Sequence, residues 1–148
     1  MPTNPALRCR DVSGEARIGH VHTYLVLSSP EIGDDGEPWS VNVRVELAGV
    51  RAETKVWLGL EAPLVGFFDA LARDSSGWAG MREWAAYEGG LRLGATMDAL
   101  GHVTTTVELH EASGPDGWHV RGDVPLDAGQ LAQVAVDVRR VLETQTSP

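Results

Sequence analysis

The chain of 148 residues has a single cysteine, Cys9, and few positive charges. One thiol allows no internal disulfide. No histidine stands near it in sequence, so a catalytic pairing is not expected. No apolar run approaches the ~18 residues of a membrane span. The first residues, MPTNPALRCR, contain no apolar stretch of the secretory kind. These absences make a soluble cytoplasmic protein the expectation. Lysine and arginine number 12 against 21 aspartates and glutamates, a net charge of −9. Nucleic acids and anionic membranes need a basic face, so neither is expected as a partner. The acidity serves solubility and leaves room for a basic protein partner. Gly-x-Ser-x-Gly, phosphate-loop, Gly-x-Gly-x-x-Gly, His-Glu-x-x-His and Cys-x-x-Cys motifs are missing. No enzymatic activity and no cofactor are expected.

What is present is ordinary globular material, 43% hydrophobic and 22% charged. The length suits one domain, residues 1–148, with 1–17 expected to be poorly ordered. The chain also resembles itself. Slid by 62 positions, residues 41–64 lie without a gap on residues 103–126. Val41, Val45, Glu46, Leu47, Pro63 and Leu64 then meet Val103, Val107, Glu108, Leu109, Pro125 and Leu126. Two copies are too few for a solenoid, and an internal duplication is expected, with units at about 20–74 and 90–143.

Each unit reads as three strands and a helix. Val41, Val43, Val45 and Leu47 alternate with Asn42, Arg44 and Glu46, the period of a strand with one wet face. Val56, Leu58 and Leu60 form the expected return strand. Val103, Thr105, Val107 and Leu109 repeat the pattern, with Trp118, Val120 and Val124 on the return. The turn SGPDG sets Glu108 opposite Arg121 and His110 beside His119. The same register in the first unit sets Arg44 opposite Glu61. HVHTYLVLSS and LRLGATMDA supply one earlier strand each. Helical spacing follows at Leu64, Phe67, Phe68 and Leu71, and again at Leu131, Val134, Val138, Val141 and Leu142. Asp127 with Gln130 resembles a capping box. The expected fold is therefore α+β, a six-stranded mostly antiparallel sheet of two βββα units with both helices on one face.

The stretch GWAGMREWAAYEGG joins the units. Met81, Trp84, Ala85 and Glu88 share one side of a helix drawn through residues 79–88, with Gly89 and Gly90 as its stop. Its tryptophans, Trp78 and Trp84, either wedge beneath the joint or line a site. The scaffold reading comes first. Trp78, Gly80, Trp84, Glu88, Gly89, Asp98, Gly101, His102 and Val103, with a closing Gly129-Gln130-Leu131 run, resemble an actinobacterial family of small domains of unknown function. The resemblance covers about residues 20–143, with departures at Ala85 and Gly90. It implies no activity. In size and acidity such domains resemble immunity proteins of polymorphic toxin systems, which is analogy only.

Candidate chemistry is sparse. His20 with His22, and His110 with His119, are two pairs that could bind zinc or copper. No carboxylate or cysteine completes either set, and no metal site is expected. Glu88, Asp98 and His102 could act as an acid–base group, but roles in turns and caps suit them better. The acidic loop EIGDDGEP lacks the spacing of a calcium loop and is expected to be solvated. The candidate binding residues are thus Trp57, Phe68, Trp78, Trp84, Glu88, Asp98 and His102. The leading expectation is a non-enzymatic domain that binds a basic protein partner, such as the active site of a toxin. The alternatives are a small-molecule pocket lined by Trp57, Phe68, Trp78 and Trp84, and a homodimeric module that pairs its sheets.

Overall fold

The computed structural model describes residues 14–58, 63–86, 90–111 and 117–143. Among them the chain forms eight strands and two α-helices. The strands are β1 (Glu15–Gly19), β2 (Tyr24–Ile32), β3 (Pro38–Leu47), β4 (Val50–Trp57), β5 (Arg82–Ala85), β6 (Leu91–Met97), β7 (His102–His110) and β8 (His119–Asp127). Helix α1 spans Leu64–Arg73 and α2 spans Leu131–Glu143. The class is α+β, but the single six-stranded sheet is overturned. There are two separate four-stranded antiparallel sheets, ordered β1-β2-β3-β4 and β5-β6-β7-β8.

The two extra strands explain the difference. β1, EARIG, begins inside the segment expected to be poorly ordered, and it buries Ala16 and Ile18 while Glu15 and Arg17 face outward. Two core residues among charges make a weak signal. β5 replaces the expected joining helix. Trp84 and Ala86 are buried while Glu83 and Ala85 are exposed, a period of two and not of 3.6. Met81, on the supposed buried side of that helix, is half exposed. Trp84 pairs with Leu93 of β6 and turns its ring into the core.

Each half has the element order ββββα and not βββα, and the gapless overlay of residues 41–64 on 103–126 does not hold. Val41 pairs with Val56, whereas Val103 pairs with Leu126. β3 and β7 correspond as expected, yet Val56 occupies the place of Leu126 and not that of Trp118. The cause is the turn. Leu47 pairs directly with Val50 across Ala48-Gly49, with Gly49 at φ +82°, a two-residue hairpin that requires a left-handed position. Arg44 therefore faces Glu53, not Glu61. In the second unit the expected pairs hold, Glu108 with Arg121 and His110 with His119.

The two halves interlock. Helix α2 lies chiefly on β1, β2 and β3 of the other half's sheet, and α1 packs on α2 and reaches β5. Val41, Val43, Val45, Phe68, Leu71, Leu93, Val107, Leu126, Val134 and Val138 join one buried cluster. Each such large side chain contributes about 1.5–3 kcal/mol through its removal from water, and neither half could close the core alone. Asp127 and Gln130 form the capping box, the Asp127 N–H donating to Gln130 Oε1 at 2.8 Å. An ion pair between Asp69 of α1 and Arg139 of α2 ties the helices together at the surface.

Candidate functional site

The structure separates most of the candidate residues. Phe68 and Trp84 are core side chains, 1% and 6% exposed. Trp78 packs against that core and donates its indole N–H to the Ala95 carbonyl at 3.0 Å. Asp98 and His102 belong to the β6–β7 turn. Asp98 Oδ1 accepts the backbone N–H groups of Leu100 and His102, each at 2.9 Å, and Oδ2 lies 3.1 Å from His102 Nδ1. Its carboxyl is held below the ordinary value, first by the His102 N–H and further by the Leu100 N–H and the His102 ring. That arrangement fixes a tight turn. Glu88 lies outside the described residues. Trp57 stands apart from the other candidate tryptophans, exposed at the end of β4.

Trp57 has a neighbour that sequence reasoning missed. Ser40 pairs with Trp57 across β3 and β4, and the Leu58 N–H donates to the Trp39 carbonyl at 2.9 Å. This register sets the Trp39 and Trp57 rings 5.3 Å apart, tilted by 56°. They remain 50% and 41% exposed. Beside Trp57 on the neighbouring strands lies a polar cluster. Ser40, fully buried, donates its hydroxyl to Glu31 Oε1 at 2.7 Å, and Lys55 Nζ reaches the same oxygen at 3.1 Å. These bonds, the serine's first, lower the Glu31 pKa. Lys55 Nζ also sits 5.6 Å from the centre of the Trp57 ring.

The β2–β3 turn carries the charge. Gly33 N–H donates to the Glu37 carbonyl at 2.9 Å, and the Glu37 N–H to Asp35 Oδ1 at 3.0 Å. The turn thereby presents Asp34, Asp35 and Glu37 to solvent, directly before Trp39. A bulge between Ser28 and Glu31, with Ser29 at φ +50°, bends β2 as it approaches this turn. The result is an exposed indole pair beside four carboxylates, those of Glu31, Asp34, Asp35 and Glu37, with Lys55 already engaged.

Two other concavities are of a different kind. On the outer face of the second sheet, Gly94 leaves a groove of about 290 Å³ bordered by Met81, Glu83, Arg92, Glu108 and Arg121. Its rim carries both signs of charge and no stack of tryptophans. His20 and His22 lie in the β1–β2 turn and not on a strand face, beside an open hollow with Arg17, Pro125 and Gln130. The His110 and His119 rings meet edge to face at 6.0 Å, with Glu108 Oε1 3.4 Å from His119 Nε2. Among the described residues no group of three or more His, Cys, Asp or Glu is placed to hold a metal ion. No helix among them is long and apolar enough to cross a membrane.

Among known proteins, the sequence model described as "Family of unknown function (DUF6228)" matches residues 16–145. No curated protein and no solved structure matches the chain.

Proposed function

We propose that this chain, which belongs to that family of unknown function, is a non-enzymatic binding domain whose Trp39–Trp57 surface and adjoining acidic turn receive a basic segment of a protein partner. One observation carries the reading. Two large indoles lie side by side half exposed, where they add little to the core, and the turn next to them presents three solvent-facing carboxylates. Tryptophan is enriched among the few residues that dominate binding energy. A partner's arginine or lysine over an indole is worth about 0.5–2 kcal/mol. The Lys55–Trp57 contact is an internal instance of that geometry. The carboxylates would speed the encounter and make it sensitive to salt. Inhibition of immunity type, with this surface covering the basic active site of a toxin, is the specific form the reading takes.

The test is affinity selection from the host's own lysate with three baits. These are the native chain, Trp39→Ala, and a triple variant Asp34→Asn, Asp35→Asn, Glu37→Gln. A basic protein retained by the native chain, released by salt and lost from both variants supports the reading. Equal retention by all three baits, or retention by none, overturns it.

A further inference from the structure

β4 is the outer strand of the first sheet and is eight residues long. Among the described residues its main chain makes hydrogen bonds to β3 and to no other element. Its residues Val50, Arg51, Glu53, Lys55 and Trp57 are exposed. A free edge of this length is a template for another strand, and proteins normally blunt such edges with charge, proline or bulges. β4 has no proline and no register shift against β3. Its charges alternate in sign along the outer face: Arg51, Glu53, Lys55, and then Trp57.

That order is self-complementary. Lay two copies of β4 antiparallel about a two-fold axis through Thr54. Glu53 then stands opposite Lys55 of the second copy, and Arg51 opposite Trp57 of the second copy, and symmetry makes each pairing occur twice. Ala52 and Val56 meet on the inner face, with Thr54 opposite Thr54. Neighbouring registers are worse. An axis at Glu53 puts Arg51 opposite Lys55 and Glu53 opposite itself. An axis at Lys55 puts Glu53 against Trp57 and Lys55 against itself. An axis at Ala52 keeps Arg51 with Glu53 but runs Lys55 and Trp57 past the turn at Gly49. Directly opposed charges select a register even where each adds little stability.

We infer that the chain forms a homodimer through antiparallel pairing of β4 with β4 about Thr54, which joins the first sheets of the two copies into one. The intrachain contacts are compatible with this. Arg51 lies near Glu46, Asn42 Nδ2 donates to Glu53, and Lys55 reaches Glu31, all toward the interior of the sheet. They hold the three charges in a row without using the strand's free edge. Trp57 belongs to both surfaces, whereas Trp39 and the acidic turn lie outside the paired strand, so variants at Glu53 and Lys55 test the dimer separately from the proposed basic partner.

Sedimentation equilibrium tests it at about 100 µM chain, a hundredfold above a micromolar Kd. The native chain should show twice the monomer mass. Glu53→Lys turns two opposed pairs into like-charge pairs and should weaken the dimer by about tenfold or more. The swap Glu53→Lys with Lys55→Glu restores opposite charges across the axis and should recover the dimer. Circular dichroism melts of each variant separate loss of pairing from loss of fold. A Val50→Lys variant, outside the charge row, controls for general surface charge and should remain dimeric. A monomeric native chain overturns the inference. So does a Glu53→Lys variant whose fitted Kd equals that of the native chain, or a folded swap whose Kd stays at the Glu53→Lys value.

Discussion

Gly19 is a point of close approach between the two sheets. It ends β1 at φ +132°, a conformation that residues with a Cβ rarely adopt. A Cβ built there would lie 2.5 Å from the Thr23 carbonyl oxygen, 2.7 Å from Val124 Cγ1 of β8 and 2.8 Å from Tyr24 Cα. Two of those atoms are backbone, and the Thr23 oxygen is the one that accepts the His20 N–H at 2.8 Å to close the β1–β2 turn. Gly19→Ala therefore combines two costs. Backbone strain contributes about 1–3 kcal/mol, and overpacking against atoms that cannot rotate away adds about 1–3 kcal/mol. A loss of about 2–6 kcal/mol follows, a large part of the ~5–15 kcal/mol typical of a domain. Gly49→Ala is the control. Gly49 also has positive φ, +82°, but nothing lies within 4 Å of its built Cβ, so strain alone should cost about 1–2 kcal/mol. Urea unfolding of both variants measures the difference. Equal losses for Gly19→Ala and Gly49→Ala would refute the claim that β1 is wedged against β8.

Phe68→Ala and Trp84→Ala should each cost about 3–5 kcal/mol, because both rings lie in the shared core. Thermal melts little changed by either would return these residues to the binding candidates. Asp98 gives a pH dependence with a definite sign. Its folded pKa is depressed, led by the His102 N–H bond, so its contribution is complete above the unfolded value and is lost as pH falls through the lower folded one. Carboxyl NMR titration should find Asp98 below the ordinary aspartate value. In the Asp98→Asn variant the acid limb of the stability curve should be correspondingly shallower, and an unshifted titration in the native chain would refute the assignment.

Much of the fold was legible where local pattern and local structure coincide. Val41, Val43 and Val45 alternate cleanly and lie inward. Leu131, Val134, Val138, Val141 and Leu142 mark the buried face of α2, and Asp127 with Gln130 announced its start. The β7–β8 register followed from its turn residues. The division into two sheets was not legible, because it depends on contacts far apart in sequence. Helix α2 covers β1 and β2, and the β1–β8 approach needs the absent side chain of Gly19. At Trp84 the sequence supports both periods over a few residues, and only pairing with β6 decides between them.

The candidate site was hidden by a single turn. Expecting Arg44 opposite Glu61 moves the return strand far along β3, and Trp57 then has no reason to meet Trp39. With the chain reversing at Ala48-Gly49, Ser40 falls opposite Trp57, and the indoles come within 5.3 Å. The available clue was Gly49, set in the apolar-looking run LAGV, where the two-residue hairpin needs a left-handed residue. Composition cannot distinguish a tryptophan that holds a core together from one that waits for a partner, since Trp84 and Trp39 are chemically identical. Register can, because it fixes which ring the core covers and which it leaves beside carboxylates. A Gly49→Val substitution therefore probes the candidate site as well as the turn: by resisting the left-handed conformation it should loosen the Trp39–Trp57 contact along with the hairpin. An unchanged near-ultraviolet tryptophan spectrum in a variant whose β3–β4 hairpin has frayed would break the link between turn and site.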